Sequence, residues 1–237
     1  MHTQAPHAPA TPGKPETQDN PAASLEMRRR RLFMQLQVFT GCADAGALKD
    51  SLAKSGLESV LYLDVQNPAG VGVLFLAESP EYFVKEVRAL LGKAPWTSLT
   101  RLPDMMLFGA TYLTGREPEP DDYLLQRPRR IAFNAETPWA VWYPLRRKSE
   151  FALLSREEQG KILMEHGMLG RAYGEAGLVS DIRLSCFGLD THDNEFVLGL
   201  IGADLYPLSS LVQEMRKTQQ TAKYMQSLGP FFVGKVF

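Results

Sequence analysis

Alternating apolar and polar positions predict a β-α-β-β-α-β order of elements in the N-terminal half of the chain. Within residues 32–40 one set of alternate positions is apolar as far as Val38, namely Leu32, Met34, Leu36 and Val38, whereas the other set includes glutamines. This alternation is typical of a strand with one buried face. Residues Asn67–Gly70 have the composition of a hairpin turn. The predicted strands cover residues 32–40, 58–66, 71–77 and 104–113, and the predicted helices cover residues 45–54 and 80–91.

The C-terminal half repeats this order of elements. Its predicted strands cover residues 139–143, 179–187, 195–201 and 231–236, and its predicted helices cover residues 156–173 and 207–219. Each half has the element order of a ferredoxin-like unit, and two four-stranded antiparallel sheets can close a barrel with helices outside. The sequence therefore predicts an α+β fold, with two ferredoxin-like halves forming a dimeric α+β barrel within one chain.

The same patterns predict where the parts of the chain begin and end. Residues 1–30 are rich in proline and are expected to be a disordered tail. The N-terminal half is predicted at 31–115, a polar linker at 116–137 and the C-terminal half at 138–237. The C-terminal half carries the less ordinary residues, so the functional site is expected there.

Composition and charge exclude several classes of function. A net charge of −1 does not provide the basic surface that nucleic-acid binding needs. The two cysteines, Cys42 and Cys186, are far apart in the sequence and indicate neither a zinc site nor a disulfide framework. The chain shows no signal peptide and no apolar run of membrane-spanning length, so we expect a cytoplasmic protein with no membrane insertion.

One predicted helix carries a histidine on its apolar face. Ser155 and Glu158 have the spacing of a capping box at the helix start. One inward face is predicted to comprise Ile162, His166, Leu169 and Tyr173. An inward histidine is either hydrogen-bonded to a neighbouring group or bound to a metal, and the pattern leaves both open. His192 lies in a polar segment between two strands, where a hairpin connection and a metal loop are the alternatives.

Five motifs in the C-terminal half together resemble the chlorite dismutase-like haem proteins, a family that includes the coproheme decarboxylases of bacterial haem synthesis. The motifs are Trp142–Lys148, Glu165–Tyr173, Gly188–Asp190, Glu214–Arg216 and Gly229–Gly234. The N-terminal half resembles the family only through its order of elements. The resemblance implies a haem-dependent oxidoreductase whose cofactor or substrate is haem b or iron-coproporphyrin III, with iron.

The resemblance also implies roles for individual residues. His166 matches the proximal haem ligand, and Tyr143 matches the tyrosine that becomes a radical in the decarboxylases. Arg147 stands where those enzymes often have a lysine. Contacts to porphyrin propionates are implied for Arg216, Thr221 and, as a weaker match, Arg129. Arginine suits this task because its planar fork of donors matches a carboxylate.

The chain departs from the family pattern at the distal face of the haem. Asp181 falls where chlorite dismutases have arginine and many decarboxylases have glutamine, and the spacing also admits Val179 or Ser180 at this position. An aspartate would not stabilise an anion derived from chlorite. Arg183 shares the strand face of Asp181 and is an alternative distal group. The hairpin after Gly188 is longer than in the family, which would alter a subunit contact rather than the chemistry.

Three hypotheses about function follow. The first is a coproheme decarboxylase that uses hydrogen peroxide to convert two propionates of iron-coproporphyrin III. The second is a haem-dependent peroxidase or chlorite dismutase that uses His166 with Arg183. The third is a non-enzymatic binding module for haem or another small molecule, because paired ferredoxin-like halves also serve that purpose. The resemblance further implies a homo-oligomer, a ring-shaped pentamer.

Overall fold

A computed structural model describes residues 30–115 and 117–237 of the protein. Nearly all of the predicted tail, residues 1–29, therefore lies outside the described residues. The strands of the N-terminal half are β1 (Phe33–Thr40), β2 (Ser59–Asp64), β3 (Val71–Ala77), β4 (Thr100–Arg101) and β5 (Leu107–Thr111). Helix α1 is Ala45–Ser55, and α2 begins as a π-helical turn, Phe83–Val87, that continues as Arg88–Leu91. Short 3-10 turns are Trp96–Ser98 and Pro103–Met105.

The C-terminal half has the same order with additions. Helix α3 precedes it, as a π-helical turn, Asp122–Gln126, that continues as Arg127–Ala132. The strands are β6 (Trp139–Arg147), β7 (Ser180–Ser185), β8 (Phe196–Gly202), β9 (Met225–Leu228) and β10 (Phe232–Val236). The helices are α4 (Ser149–Leu153), α5 (Arg156–Glu175), α6 (Leu205–Met215) and α7 (Gln219–Tyr224).

The strands of both halves join into one closed barrel. Within the described residues eight antiparallel strands follow the order β10-β2-β3-β1-β5-β7-β8-β6, and β10 also pairs with β6 to close the circle. Strands β4 and β9 pair with the ends of β1 and β6. The α+β prediction of two ferredoxin-like halves forming a barrel is confirmed.

Strand alternation divides the apolar residues between the barrel interior and its two outer faces. Met34, Leu36 and Val38 of β1 lie in the barrel core, whereas Phe33 and Phe39 face the helices of the N-terminal half. Another core side chain, Trp142, lies over Gly199, where an added Cβ would be 2.5 Å from the indole ring. The barrel interior is therefore filled by side chains. Any large ligand must bind on an outer face.

The predicted linker contains a helix that the sequence patterns did not predict. Residues 116–137 include α3, although Pro128 lies within it. Proline has no N–H to donate, and here it stands at the start of the α-helical part, directly after the wider π-helical turn. The short elements α4, α7 and β9 were also not predicted. No helix in the described part of the chain is both long and apolar enough to cross a membrane.

Candidate functional site

The outer face of the C-terminal sheet carries both polar and apolar candidate residues in cross-strand rows. Tyr143 of β6 pairs with Leu198 of β8, which pairs with Arg183 of β7. The adjacent row on the same face continues from Val141 through Leu200 to Asp181. Directly paired residues share a sheet face, so Tyr143, Arg183 and Asp181 all point toward the helices that cover this face.

The space between this face and its helices is packed more loosely than its counterpart in the N-terminal half. There, most apolar side chains beneath the helices are buried. Beneath α5 and α6, most are only partly buried, namely Trp139, Leu169, Tyr173, Phe196, Leu198, Leu205, Val212, Met215, Met225, Leu228, Phe231 and Val233. A group of half-exposed apolar side chains of this kind marks a surface that can bind a ligand or a partner.

His166 lies on the face of α5 that looks toward the sheet. The capping box predicted at the helix start is present, with Ser155 and Glu158 bonded to each other's backbone N–H groups. Along the predicted inward face Ile162 is buried, and His166 is partly buried. Burial lowers the pKa of His166, opposed by the Glu165 carboxylate and assisted by the Arg183 guanidinium. The imidazole is therefore held neutral, which is the form that binds metals.

Thr218 fixes the tautomer of this imidazole. The Thr218 hydroxyl donates to the carbonyl oxygen of Met215 at 2.8 Å and lies 3.2 Å from Nδ1 of His166. Because the hydroxyl hydrogen is already engaged, the oxygen accepts from Nδ1–H, and the lone pair of the ring is then on Nε2. Among the described residues Nε2 has no hydrogen-bond partner. His166 thus presents a free nitrogen lone pair, oriented by a second residue as in metal sites.

Replacing Thr218 with valine is expected to weaken iron-porphyrin binding about 10- to 100-fold, since outer partners of ligating histidines have effects of this size. Valine keeps the shape of threonine but cannot accept from Nδ1–H. Titration of the purified protein with ferric porphyrin, followed by the Soret band, measures the effect. Thr218→Ser keeps the hydroxyl and is the matched control; equal affinities for the two variants would contradict the assignment.

Tyr143 is nearly fully buried, and its ring centroid lies 4.7 Å from that of Phe231. Burial raises the pKa of Tyr143, the Asp181 carboxylate raises it further, and Arg216 lowers it. The phenol therefore keeps its proton at neutral pH. Within the described part of the chain its hydroxyl has no hydrogen-bond partner, so the O–H is free to interact with a ligand.

Arg147 is fixed at the end of β6 by one carboxylate and two aromatic rings. Its Nε donates to Glu195 at 2.8 Å, and its guanidinium lies 4.7 Å from the ring centre of Phe151 and 4.8 Å from that of Phe196. A cavity of about 220 Å³ opens beside this group and is also lined by Lys148 and Gln159. The guanidinium thus lies where β6 ends, four residues along the strand from Tyr143.

Asp181 and Arg183 belong to an ion-pair network that includes Arg127. The Asp181 carboxylate accepts from Arg127 at 2.8 Å through Oδ1, and its Oδ2 lies 2.9 Å from Nε of Arg183. Tyr123 completes the network, because its hydroxyl accepts from Arg183 and both guanidiniums lie against its ring. The predicted distal residues are therefore close together, and the charge of Arg183 is partly neutralised.

Three residues that the sequence patterns did not reveal line this region: Tyr112, Tyr123 and Arg127. Tyr112 follows β5, and its ring centroid is 5.4 Å from that of Phe196. Tyr123 and Arg127 are four residues apart, a spacing that places both on one face of a helix. That spacing is a signal in the sequence, although the polar composition of the segment predicts a linker.

The three predicted propionate contacts have different positions. Arg216 caps the end of α6 with an exposed side chain and acts electrostatically on Tyr143. Thr221, in α7, lies 3.4 Å from the Thr218 hydroxyl, close to His166. Arg129 does not join them. It pairs with Glu58 at 2.8 Å and lies near Glu78 in the N-terminal half, so its expected contact is not supported, and Arg127 is the arginine that faces the site.

A family model described as chlorite dismutase matches residues 97–237, which are more than half of the chain. The chain belongs to the chlorite dismutase family. Two family relatives are named coproheme decarboxylase. The one from Oceanobacillus iheyensis is 30% identical over 188 residues, covering 73% of this chain and 71% of the relative. The one from Staphylococcus carnosus is 33% identical over 135 residues, covering 54% of this chain and 51% of the relative.

Solved structures with chlorite dismutase folds support the architecture. A chlorite dismutase from Candidatus Nitrospira defluvii in complex with imidazole has a TM-score of 0.68 at 15% identity, covering 91% of this chain and 95% of its own. A haem-binding protein from Thermus thermophilus has a TM-score of 0.66 at 20% identity, covering 88% of this chain and 91% of its own. At these identities the likeness shows the fold alone.

Proposed function

We propose that the protein is a coproheme decarboxylase, which converts iron-coproporphyrin III into haem b with hydrogen peroxide. One observation carries the proposal: a neutral imidazole with a free Nε2 and a buried, protonated tyrosine face the same loosely packed space beside a group of arginines. Relatives named coproheme decarboxylase agree with this choice of reaction. A cytoplasmic location and a ring-shaped homopentamer stay predictions.

The residues present suit an iron porphyrin with several carboxylates. His166 would hold the iron through Nε2, and the half-exposed apolar side chains would cover the faces of the macrocycle. Arg127, Arg183 and Arg216 provide cations for propionates near Tyr143. Thr218 and Thr221 provide hydroxyl groups on the side of the histidine.

The reaction that this arrangement supports is an oxidative loss of carbon dioxide. Each propionate loses one carbon dioxide, one proton and two electrons and becomes a vinyl group, while one peroxide takes up two electrons and two protons to give water. The iron supplies the oxidising power when bound. Tyr143 is positioned to carry a hydrogen atom, which is one electron and one proton, from a propionate toward the oxidant, because its phenol is protonated, buried and without another partner among the described residues.

A second candidate function is the decomposition of chlorite, which Arg183 favours. Its side chain lies on the sheet face that looks toward the helix of His166, and its positive charge lowers the pKa of the imidazole. The ion pair with Asp181 counts against this function, because the carboxylate reduces the positive charge available to an anion derived from chlorite. Oxygen evolution from chlorite that is lost in Arg183→Ala would support it.

Incubation of the purified protein with iron-coproporphyrin III and hydrogen peroxide tests the proposed reaction. Mass spectrometry of the porphyrin is expected to show two successive products, each lighter by one carbon dioxide and two hydrogen atoms. The same incubation without protein controls for direct attack by peroxide. An unchanged porphyrin mass with a normal Soret band would show that the protein binds the porphyrin but has another activity. The absence of any Soret shift would instead favour the binding-module hypothesis, with a ligand other than haem.

A further inference from the structure

Asp181 occupies the position between two arginines that a ligand carboxylate would take. Arg127 donates to the Asp181 carbonyl and to Oδ1, both at 2.8 Å, while Oδ2 lies 2.9 Å from Nε of Arg183. Each carboxylate oxygen therefore faces a different guanidinium. Only Arg127 donates hydrogen bonds to Asp181, whereas the buried Nε of Arg183 has no hydrogen-bond partner among the described residues and keeps a donor for a ligand carboxylate.

The two guanidiniums are held in place independently of Asp181. Both lie against the ring of Tyr123, with 5.3 Å from Arg127 and 5.5 Å from Arg183 to the ring centre, and Arg183 also donates to the Tyr123 hydroxyl. The three side chains are exposed to a similar extent, 36% for Asp181 against 29% for Arg127 and 35% for Arg183, so the ion pairs are partly exposed to solvent. The Asp181 carboxylate can move into solvent while the arginines keep these other contacts, since a partly exposed ion pair contributes little to stability.

The position of the pair relative to Tyr143 indicates which carboxylate would bind there. Arg183 lies in the same cross-strand row as Tyr143, separated only by Leu198. A carboxylate held by Arg183 is consequently on the same sheet face as the tyrosine that acts in the proposed reaction, two strands or roughly 10 Å away, and the carboxylate of Asp181 already acts electrostatically on that tyrosine. In a coproheme decarboxylase this carboxylate would be a propionate that reacts, rather than one that remains in the product.

We propose that Asp181 is an internal competitor of the reactive propionate. The porphyrin carboxylate displaces Asp181 from Arg127 and Arg183, and Asp181 returns to them once that propionate has become an uncharged vinyl group. The residue thereby weakens substrate binding and favours release of the product. This inference rests on the proposed function for the identity of its ligand, but it concerns carboxylate binding and requires no turnover.

Titration with metal-free porphyrins tests the competition without iron ligation. Coproporphyrin III has four propionates, and protoporphyrin IX has two propionates and two vinyl groups. In Asp181→Asn we expect the affinity for coproporphyrin III to rise about five- to tenfold, the size expected for releasing a partly buried ion pair, and that for protoporphyrin IX to change less than about twofold. Quenching of protein fluorescence measures both affinities, and circular dichroism checks the fold of the nearly isosteric variant.

Two control variants separate competition from a general change in charge. Asp181→Glu keeps a carboxylate and should show no gain. Asp122→Asn removes the carboxylate paired with Arg130 on the same helix as Arg127, and it should leave both affinities unchanged. An unchanged or reduced affinity of Asp181→Asn for coproporphyrin III overturns the inference. An equal gain for both porphyrins also overturns it, because the site would then bind a propionate that survives in the product.

Failure of this inference is distinguishable from failure of the proposed function. If the wild-type protein leaves coproheme unchanged, and Asp181→Asn still gains affinity for coproporphyrin III alone, the competition stands and the reaction is another one. If the wild-type protein produces haem b, but the variant shows no selective gain, the reaction stands and Asp181 is only part of a structural ion pair.

Discussion

Replacing His166 with alanine is expected to abolish specific iron-porphyrin binding, lowering the affinity by more than about 100-fold. Loss of an outer partner alone costs roughly 10- to 100-fold, and the ligand itself contributes more. The physical reason is that His166 presents Nε2 with its lone pair toward the loosely packed face, held neutral by burial and oriented by Thr218. Titration with ferric coproporphyrin III, followed by the Soret band, measures the loss.

Two further measurements make the His166 result specific. Added imidazole should restore a Soret band of histidine-ligated haem in His166→Ala, because the space left by the side chain can admit the free ring. His192→Ala is the matched control, since His192 is exposed in the hairpin between β7 and β8 and should leave the titration unchanged. An unaltered Soret band in His166→Ala without imidazole would exclude His166 as the ligand.

Replacing Tyr143 with phenylalanine is expected to lower the rate of decarboxylation by roughly a thousandfold, or about 4 kcal/mol of activation free energy. Coproheme affinity should stay nearly constant, because phenylalanine keeps the ring that packs 4.7 Å from Phe231. Only the O–H is lost, and with it the group that can pass a hydrogen atom. Single-turnover mixing of bound coproheme with peroxide, followed by mass spectrometry, measures the rate.

Tyr62→Phe provides the matched control for Tyr143→Phe. Tyr62 is another buried tyrosine of the same barrel, but it belongs to the core cluster of the interior, on the other side of the sheet from the candidate site. Its loss of a hydroxyl should leave the reaction rate unchanged. A Tyr143→Phe variant with the wild-type rate would show that electrons leave the propionate by another path and would remove Tyr143 from the mechanism.

The elements that the sequence predicted correctly are those whose signals are local. The alternation in β1, the turn before β3 and the capping box of Ser155 and Glu158 each depend on neighbouring residues, and all three are present. Strand alternation likewise placed Asp181 and Arg183 on one face. The short elements α4, α7 and β9 escaped prediction because pieces of four to six residues have too little periodicity to stand out.

Residue patterns could not decide which arginine near Pro128 faces the site. Arg127 and Arg129 have the same chemistry, and the resemblance favoured Arg129. The choice depends on α3, whose π-helical turn holds more residues than an α-helical one and so changes which later side chains face the sheet. In the folded chain Arg127 turns to Asp181 and Arg129 turns to Glu58.

The sequence by itself determined the two ferredoxin-like halves, the helix that carries His166 and the membership of Tyr143 in a strand, because periodicity and capping are properties of short segments. Only the tertiary structure decided that Thr218 orients the imidazole and that Asp181 lies between Arg127 and Arg183. The contacts of Thr218 with His166 and of Arg127 with Asp181 join residues 52 and 54 positions apart, and their geometry depends on how the helices pack on the closed barrel.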